Sequence, residues 1–160
     1  MNKYLMLQPK DVFDITAALE NAKDTEQMYI SPFIDMSELN ERAIRYNMFE
    51  FRDIYFASYD RNEIVNLVCF GLPLNPPLKK ASLEFKLVLD INKFDKCFFD
   101  FIKEQLNSSF PNISKITVLI AQNYSIKKVI DEFNFVKEIT LSNELENSDV
   151  DIYSNFLKAI

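Results

Sequence analysis

Two residue types that this chain nearly lacks set the limits of its chemistry. None of its 160 residues is histidine. An imidazole base, a Ser-His or Cys-His pair and a histidine metal ligand are therefore all excluded. Only Gly71 is glycine, so a site that needs backbone at positive φ must use Asn or Asp. P-loops, dinucleotide fingerprints and nucleophile elbows are excluded on the same ground. Cys69 and Cys97 lie in apolar runs without metal-ligand spacing, and the expectation is two buried free thiols. The polar groups that remain gather in three places. Asp90, Asn92, Lys93, Asp95 and Lys96 crowd the start of an expected helix, with Asp90 and Asp95 set to cap or charge it. Asp149 and Asp151 read as turn residues. The most informative stretch runs from Asn123 to Phe135 (NYSIKKVIDEFNF), which reads as an Asn-led turn, a short helix, an Asn stop and a new strand.

The elements that must position these groups follow from apolar periodicity. Tyr4 to Gln8 alternates weakly, as a first edge strand does. Asp11 to Asn21 carries a helical stripe with Asp11 as N-cap. Ala22 to Phe33 reads as a loop, and Asp35 to Tyr46 as a helix capped by Asp35 or Ser37. Arg52 to Tyr59 and Ile64 to Leu72 form a hairpin about the turn Asp60 to Glu63, its second strand covered on both faces. Lys79 to Asp90 is the next strand, followed by a helix from about Lys93 to Asn107 with Asn92 as cap. Ile113 to Ala121 is a near-continuous apolar strand of the kind buried on both sides. Phe135 to Ser142 and Val150 to Leu157 close the chain as a hairpin. Its last strand is expected at a sheet edge or paired with a second subunit, which leaves a homodimer open. The order β-α-α-β-β-β-α-β-α-β-β describes one domain of class α+β (α/β on a looser definition) with a mixed sheet.

Composition narrows the partners. A hydrophobic content of 48% builds a core without disulfides. A net charge of −6 with no basic run disfavours nucleic acid. No window approaches 18 apolar residues and the N-terminus lacks a signal-peptide pattern, so a cytoplasmic protein with no membrane partner is expected.

This order of elements resembles the GNAT acyltransferase fold from about Lys10 onward. The closest local likeness is Asn123 followed eleven and twelve residues later by Asn134 and Phe135, where family members often have Gly-Phe. Asn tolerates the left-handed conformation that ends a helix, so its place there is physically sound. The closing Asp149-Val150-Asp151-Ile152-Tyr153-Ser154 resembles the last strand of the branch that acylates protein N-termini and small amines. The resemblance implies a mostly antiparallel mixed sheet of about six or seven strands flanked by about four helices. It also implies acetyl-CoA or another acyl-CoA as donor, and a small-molecule or protein amine as acceptor.

By the same resemblance the donor's pantetheine pairs with backbone at Leu87, Val88 and Leu89. Its pyrophosphate then meets the next helix start, near Lys93 and Lys96, and Asn123 belongs to the cofactor side. The family's glycine-rich pyrophosphate loop is absent: Lys96 and Phe98 stand in its glycine places, and Asp95 puts a carboxylate where phosphate oxygens would lie. Glu84 is the acid on the strand that usually carries the base. Its plainer reading is an outward carboxylate between Leu83 and Phe85. The tyrosine that often protonates the leaving thiolate is replaced by Ile130, with Tyr124 nearby in sequence. The alternative to an enzyme is a GNAT-like binding, dimerisation or regulatory module that no longer takes acyl-CoA.

Overall fold

The computed structural model describes residues 2–22, 27–72, 81–121, 126–145 and 148–157. The chain begins with β1 (Lys3–Met6) and α1 (Val12–Asn21), then β2 (Tyr29–Ile30) and α2 (Glu41–Phe49). Three strands follow, β3 (Asp53–Asp60), β4 (Glu63–Gly71) and β5 (Ala81–Val88), and then α3 (Lys96–Ser109) and β6 (Ile113–Ile120). It ends with α4 (Lys127–Glu132), β7 (Val136–Leu145) and β8 (Ser148–Phe156). The strands form one sheet in the order β1-β3-β4-β5-β6-β8-β7, with β2 added beside β5. β5 and β6 are parallel and the other pairings antiparallel. The expected mixed sheet is therefore present with one extra member, the two-residue β2. It lies inside the stretch whose polarity read as a loop.

Helices cover both faces. Val12, Ile15 and Leu19 of α1 and Ile44 and Met48 of α2 pack with Tyr55, Ala57, Leu67, Cys69 and Leu87. On the other side Phe98, Phe99, Ile102 and Leu106 of α3 and Val129 and Ile130 of α4 pack with Ile54, Phe56, Val68, Phe70 and Phe85. β3 is consequently buried on both faces, as β4 is, because the residues at both sets of alternating positions are apolar. The aromatic core is continuous: Phe99 stacks on Phe133 at 4.8 Å, and Phe94 reaches both Phe85 and Phe133 at 6.0 and 5.6 Å.

Several boundaries move for one reason, that a cap needs an oxygen within reach of a free N–H. α2 starts at Glu41 because Asn40 accepts from the Ala43 N–H at 2.9 Å. Asp35 and Ser37 instead close the turn before it. α3 starts at Lys96, capped by Asp95, whose Oδ1 accepts from the Phe98 N–H at 2.8 Å. Asn92 lies in a separate short turn, where its own N–H donates to the Asp90 carboxylate. Phe94, between the two turns, is driven into the core, and that insertion breaks the expected continuous helix. The buried stripe of α3 runs through Phe98, Phe99, Ile102 and Leu106. Cys97 is exposed on α3, against the expectation of a buried thiol, while Cys69 is buried.

The closing hairpin folds back so that β8, the last strand, pairs with β6 from Lys115↔Phe156 to Ile120↔Asp151. With β7 on its other side, β8 is neither an edge strand nor free for a second subunit, and β7 is the edge. Besides the end of α2, two turns use left-handed residues without glycine. Arg61 and Asn62 have φ of 51° and 68° at the β3–β4 turn, as a type I′ hairpin requires. Asn134 has φ of 59° where the chain leaves α4 for β7, and the Phe135 N–H returns to the Ile130 carbonyl at 3.2 Å. Asn134→Ala is expected to cost about 1–2 kcal/mol in a denaturant melt, and Asn134→Gly to cost nothing or to stabilise.

Candidate active site

The site grows from the alternation along β5. Leu83 and Phe85 are fully buried in the α3/α4 layer, so Ser82, Glu84 and Lys86 point to the α1/α2 side. Opposite β4 the register shifts: Cys69 pairs with Leu87 but Phe70 with Phe85, leaving Lys86 as an extra residue. This β-bulge puts Leu87 on the same side as Lys86 and turns β5 away from its other neighbour. β5 pairs with β6 only as far as Glu84↔Thr117. Beyond that point β6 keeps β8 as its partner, and the two parallel strands part. Glu84 and Thr117 thus mark the vertex of a splay.

A cavity of about 380 Å³ opens at this vertex. Glu84, Thr117, Arg52, Asp53 and Lys86 line it, and Phe33 closes it from the segment before α2. Glu84 is therefore not the outward surface carboxylate that simple alternation describes. Burial raises its pKa above the ordinary glutamate value; the Ser31 hydroxyl, donating at 3.0 Å, and the Lys86 charge pull it back without cancelling the rise. Lys86 Nζ lies 2.8 Å from Asp53 Oδ1. Burial lowers the lysine's pKa, but the hydrogen bond and charge of Asp53 outweigh it, so the ammonium is held above its ordinary value. Gly71, the chain's one glycine, pairs with both Asp53 and Glu84 in the sheet. A Cβ there would meet Lys86 Cδ at 2.7 Å, so glycine clears the path of the lysine stem to Asp53. Its role is close approach rather than positive φ.

The splay itself is taken by the chain. Tyr29 pairs with Val88 and Ile30 with Leu87, on the edge that β6 vacates. The Ser31 N–H donates to the Lys86 carbonyl at 3.0 Å and the Ile91 N–H to the Gln27 carbonyl at 2.8 Å. The buried Tyr29 hydroxyl crosses the splay to the Leu119 carbonyl on β6 at 2.8 Å. On the α3/α4 side Phe94 joins Phe85 of β5 to Phe133. The Leu89 N–H is spent on the Leu67 carbonyl of β4. With Tyr29–Ile30 seated, Leu87 and Val88 offer no free backbone edge to a pantetheine chain.

The helix start expected to meet a pyrophosphate is likewise engaged. The Asp95 carboxylate sits on the first turn of α3, and its negative charge takes the place an anion would use. Lys93 lies 3.7 Å from Asp90, and Lys96 pairs with Asp100. Asn123 and Tyr124 lie outside the described residues. Ile130 is buried against the core. A CoA nucleotide thus does not fit this helix start without rearrangement. Among the described residues no group of three or more His, Cys, Asp or Glu side chains is arranged to hold a metal. Among them too, no helix is long and apolar enough to cross a membrane.

Sequence reasoning missed Ser31, Arg52, Asp53, Lys86, Thr117 and Tyr29. One signal was present: Ser82, Glu84 and Lys86 repeat at the strand period within an otherwise apolar strand. Nothing local marked Tyr29 or Asp53, because their roles come from segments distant in sequence.

No family model matches the sequence, and no curated protein matches it at the sequence level. Solved structures do resemble it along nearly the whole chain. An acetyltransferase of the GNAT family from Streptococcus pneumoniae superposes with a TM-score of 0.72 at 12% identity, over 99% of this chain and 100% of that one. An N-acetyltransferase from Staphylococcus aureus Mu50 gives 0.71 at 13%, over 98% of each chain. The ribosomal-protein-S5-alanine acetyltransferase from Vibrio fischeri gives 0.68 at 14%, over 98% of this chain and 93% of its own. Sequence likeness this low speaks to architecture alone, and in architecture the agreement spans nearly the whole chain: this chain has the GNAT acetyltransferase fold.

Proposed function

We propose that the protein is a cytoplasmic N-acyltransferase that moves an acetyl or longer acyl group from acyl-CoA to the amine of a small molecule or a protein. One observation carries this reading: Glu84 stands at the vertex of the splay, inside a cavity, with a pKa raised by burial. An amine enters as an ammonium and must lose a proton before it attacks, and a carboxylate of raised pKa is the stronger base for that step. Ser31 orients the carboxylate, while the Lys86–Asp53 pair fixes the cavity wall beside it. The donor supplies the activated thioester. It can lie along Leu87, Val88 and Leu89 only after Tyr29–Ile30 leaves the edge of β5. Lys93 and Lys96 then serve its phosphates by charge alone, and Asn123 and Tyr124 stand as candidates beside them.

The occupied splay favours a second reading, a binding or regulatory module that takes no acyl-CoA. Melting with millimolar acetyl-CoA and longer acyl-CoAs separates the two. A donor at 100 times its Kd adds about 2.7 kcal/mol of stability, or roughly 5–11 °C in a domain of this size. The enzyme reading expects that rise, a larger one in Tyr29→Phe (which frees β2 from Leu119), and its loss in Lys93→Ala with Lys96→Ala. No rise with any donor, in either the native chain or Tyr29→Phe, sinks the enzyme and leaves the module.

A further inference from the structure

α2 buries Ile44 and Met48 and turns the opposite face outward. Among the charges of that face stand exposed aromatic rings: Tyr46 is 53% and Phe49 66% exposed, and Phe13 of α1, under the Arg45 guanidinium, is 63% exposed. The helix then ends in an unusual way. Phe51 has φ of 53°, its N–H returns to Met48 and that of Arg52 to Asn47. This is the Schellman ending, whose left-handed position ordinarily holds glycine. A bulky residue there strains the backbone by about 1 kcal/mol, and its ring is 68% exposed. In the isolated subunit Phe51 thus costs free energy twice, once in its backbone and once in its ring.

The charges around these rings identify what covers them. Glu41, Arg42, Arg45 and Glu50 surround Tyr46 and Phe49 in one shallow groove. Glu41 and Arg45 pair with each other along the helix at 3.1 Å. Arg42 and Glu50, two turns apart on either side of Tyr46, have no ionic partner among the described residues. If two α2 helices cross antiparallel about a twofold axis at Tyr46, Arg42 of each faces Glu50 of the other, and Phe49 faces the small Ala43. Both charges are then matched and the aromatic rings are buried together. The groove has no net charge, so the chain's −6 does not oppose this contact locally.

We propose that the α2 face, with Tyr46 and Phe49 at its centre, Arg42 and Glu50 at its ends and Phe51 just beyond Glu50, binds a second copy of this chain as a symmetric dimer. The contact lies away from the sheet edges and does not depend on acyl-CoA. Sedimentation equilibrium of the full chain over a range of concentrations tests it. The native chain is expected to be a dimer that weakens as salt rises. Arg42→Glu, which puts like charges together twice, is expected to raise the dissociation constant at least about tenfold. Adding Glu50→Arg to that variant is expected to restore most of the loss, because the pairs re-form reversed. Phe51→Gly is expected to raise the melting temperature of the dilute monomer yet weaken the dimer, a combination that no purely structural role produces. A native chain that stays monomeric at the highest soluble concentration overturns the proposal. So does a dimer indifferent to Arg42→Glu, which would place the contact on another face, and so does an Arg42→Glu defect that Glu50→Arg fails to repair.

Discussion

Replacing Glu84 with Gln is expected to slow acyl transfer to an amine by about 10²–10⁴-fold, the usual worth of a positioned general base. The same change is expected to leave donor binding intact. Gln keeps the oxygen that accepts from Ser31 and nearly the same volume, so the cavity should hold its shape. Stability separates this outcome from a folding defect. A carboxyl whose pKa is higher folded than unfolded favours folding only while protonated. That contribution is lost as pH rises from the ordinary glutamate range through the raised value. At neutral pH the ionised Glu84 therefore costs stability, and Glu84→Gln should melt at the same temperature as the native chain or higher. Lower activity with equal or better stability marks a group kept for chemistry.

The pH profile gives the sign of the effect. If Glu84 is the base, kcat/KM falls on the acid side as its carboxylate takes up a proton. Removing the Ser31 hydroxyl takes away one of the two influences that lower its pKa. Ser31→Ala should accordingly shift the acid limb to higher pH, with little change on the alkaline plateau. An acid limb that stays in place in Ser31→Ala, or that persists unaltered in Glu84→Gln, assigns the base elsewhere.

The scaffold was legible in the sequence and much of the site was not, for a physical reason. Strands such as Ile113–Ile120 and helices such as α3 announce themselves by period, and Asn134 could be read as a left-handed stop because few residue types tolerate that backbone. The sequence of elements and the mixed character of the sheet followed from them, but the inner place of β8 did not. Ends of helices were less readable: Asp35, Ser37 and Asn40 are all competent caps, and only packing chooses among them. The splay was harder still. Tyr29–Ile30 has no periodicity of its own, and what makes it a strand is the edge of β5 left bare by the bulge at Lys86. Glu84 was found because it was the acid on its strand. That it faces a cavity depends on Ser31 and Phe33, some fifty residues away in the chain.

The largest stability effect is expected at Lys86. Its ammonium is an ionic partner of Asp53, whose side chain is 4% exposed, and the Lys86 side chain is 24% exposed. Lys86→Met keeps the stem that lies over Gly71 but strands the aspartate charge in the sheet. Breaking a buried pair from one side costs about 3–5 kcal/mol, and the partial exposure of Lys86 puts this case near the lower end. For a domain of this size that is a fall of roughly 6–12 °C in Tm. Adding Asp53→Asn to Lys86→Met should recover much of the loss, because the charge left behind is what carries the penalty. In a double-mutant cycle the two changes should therefore be strongly non-additive. The native pair's contribution is complete below the ordinary lysine value of 10.5 and fades as pH rises through the higher folded value, so the difference between native and Lys86→Met should shrink in strong alkali. Gly71→Ala probes the same contact from the opposite side, since its Cβ displaces the lysine stem. If that variant melts like the native chain, the stem has another route to Asp53, and the single glycine of this sequence is not there for the ion pair.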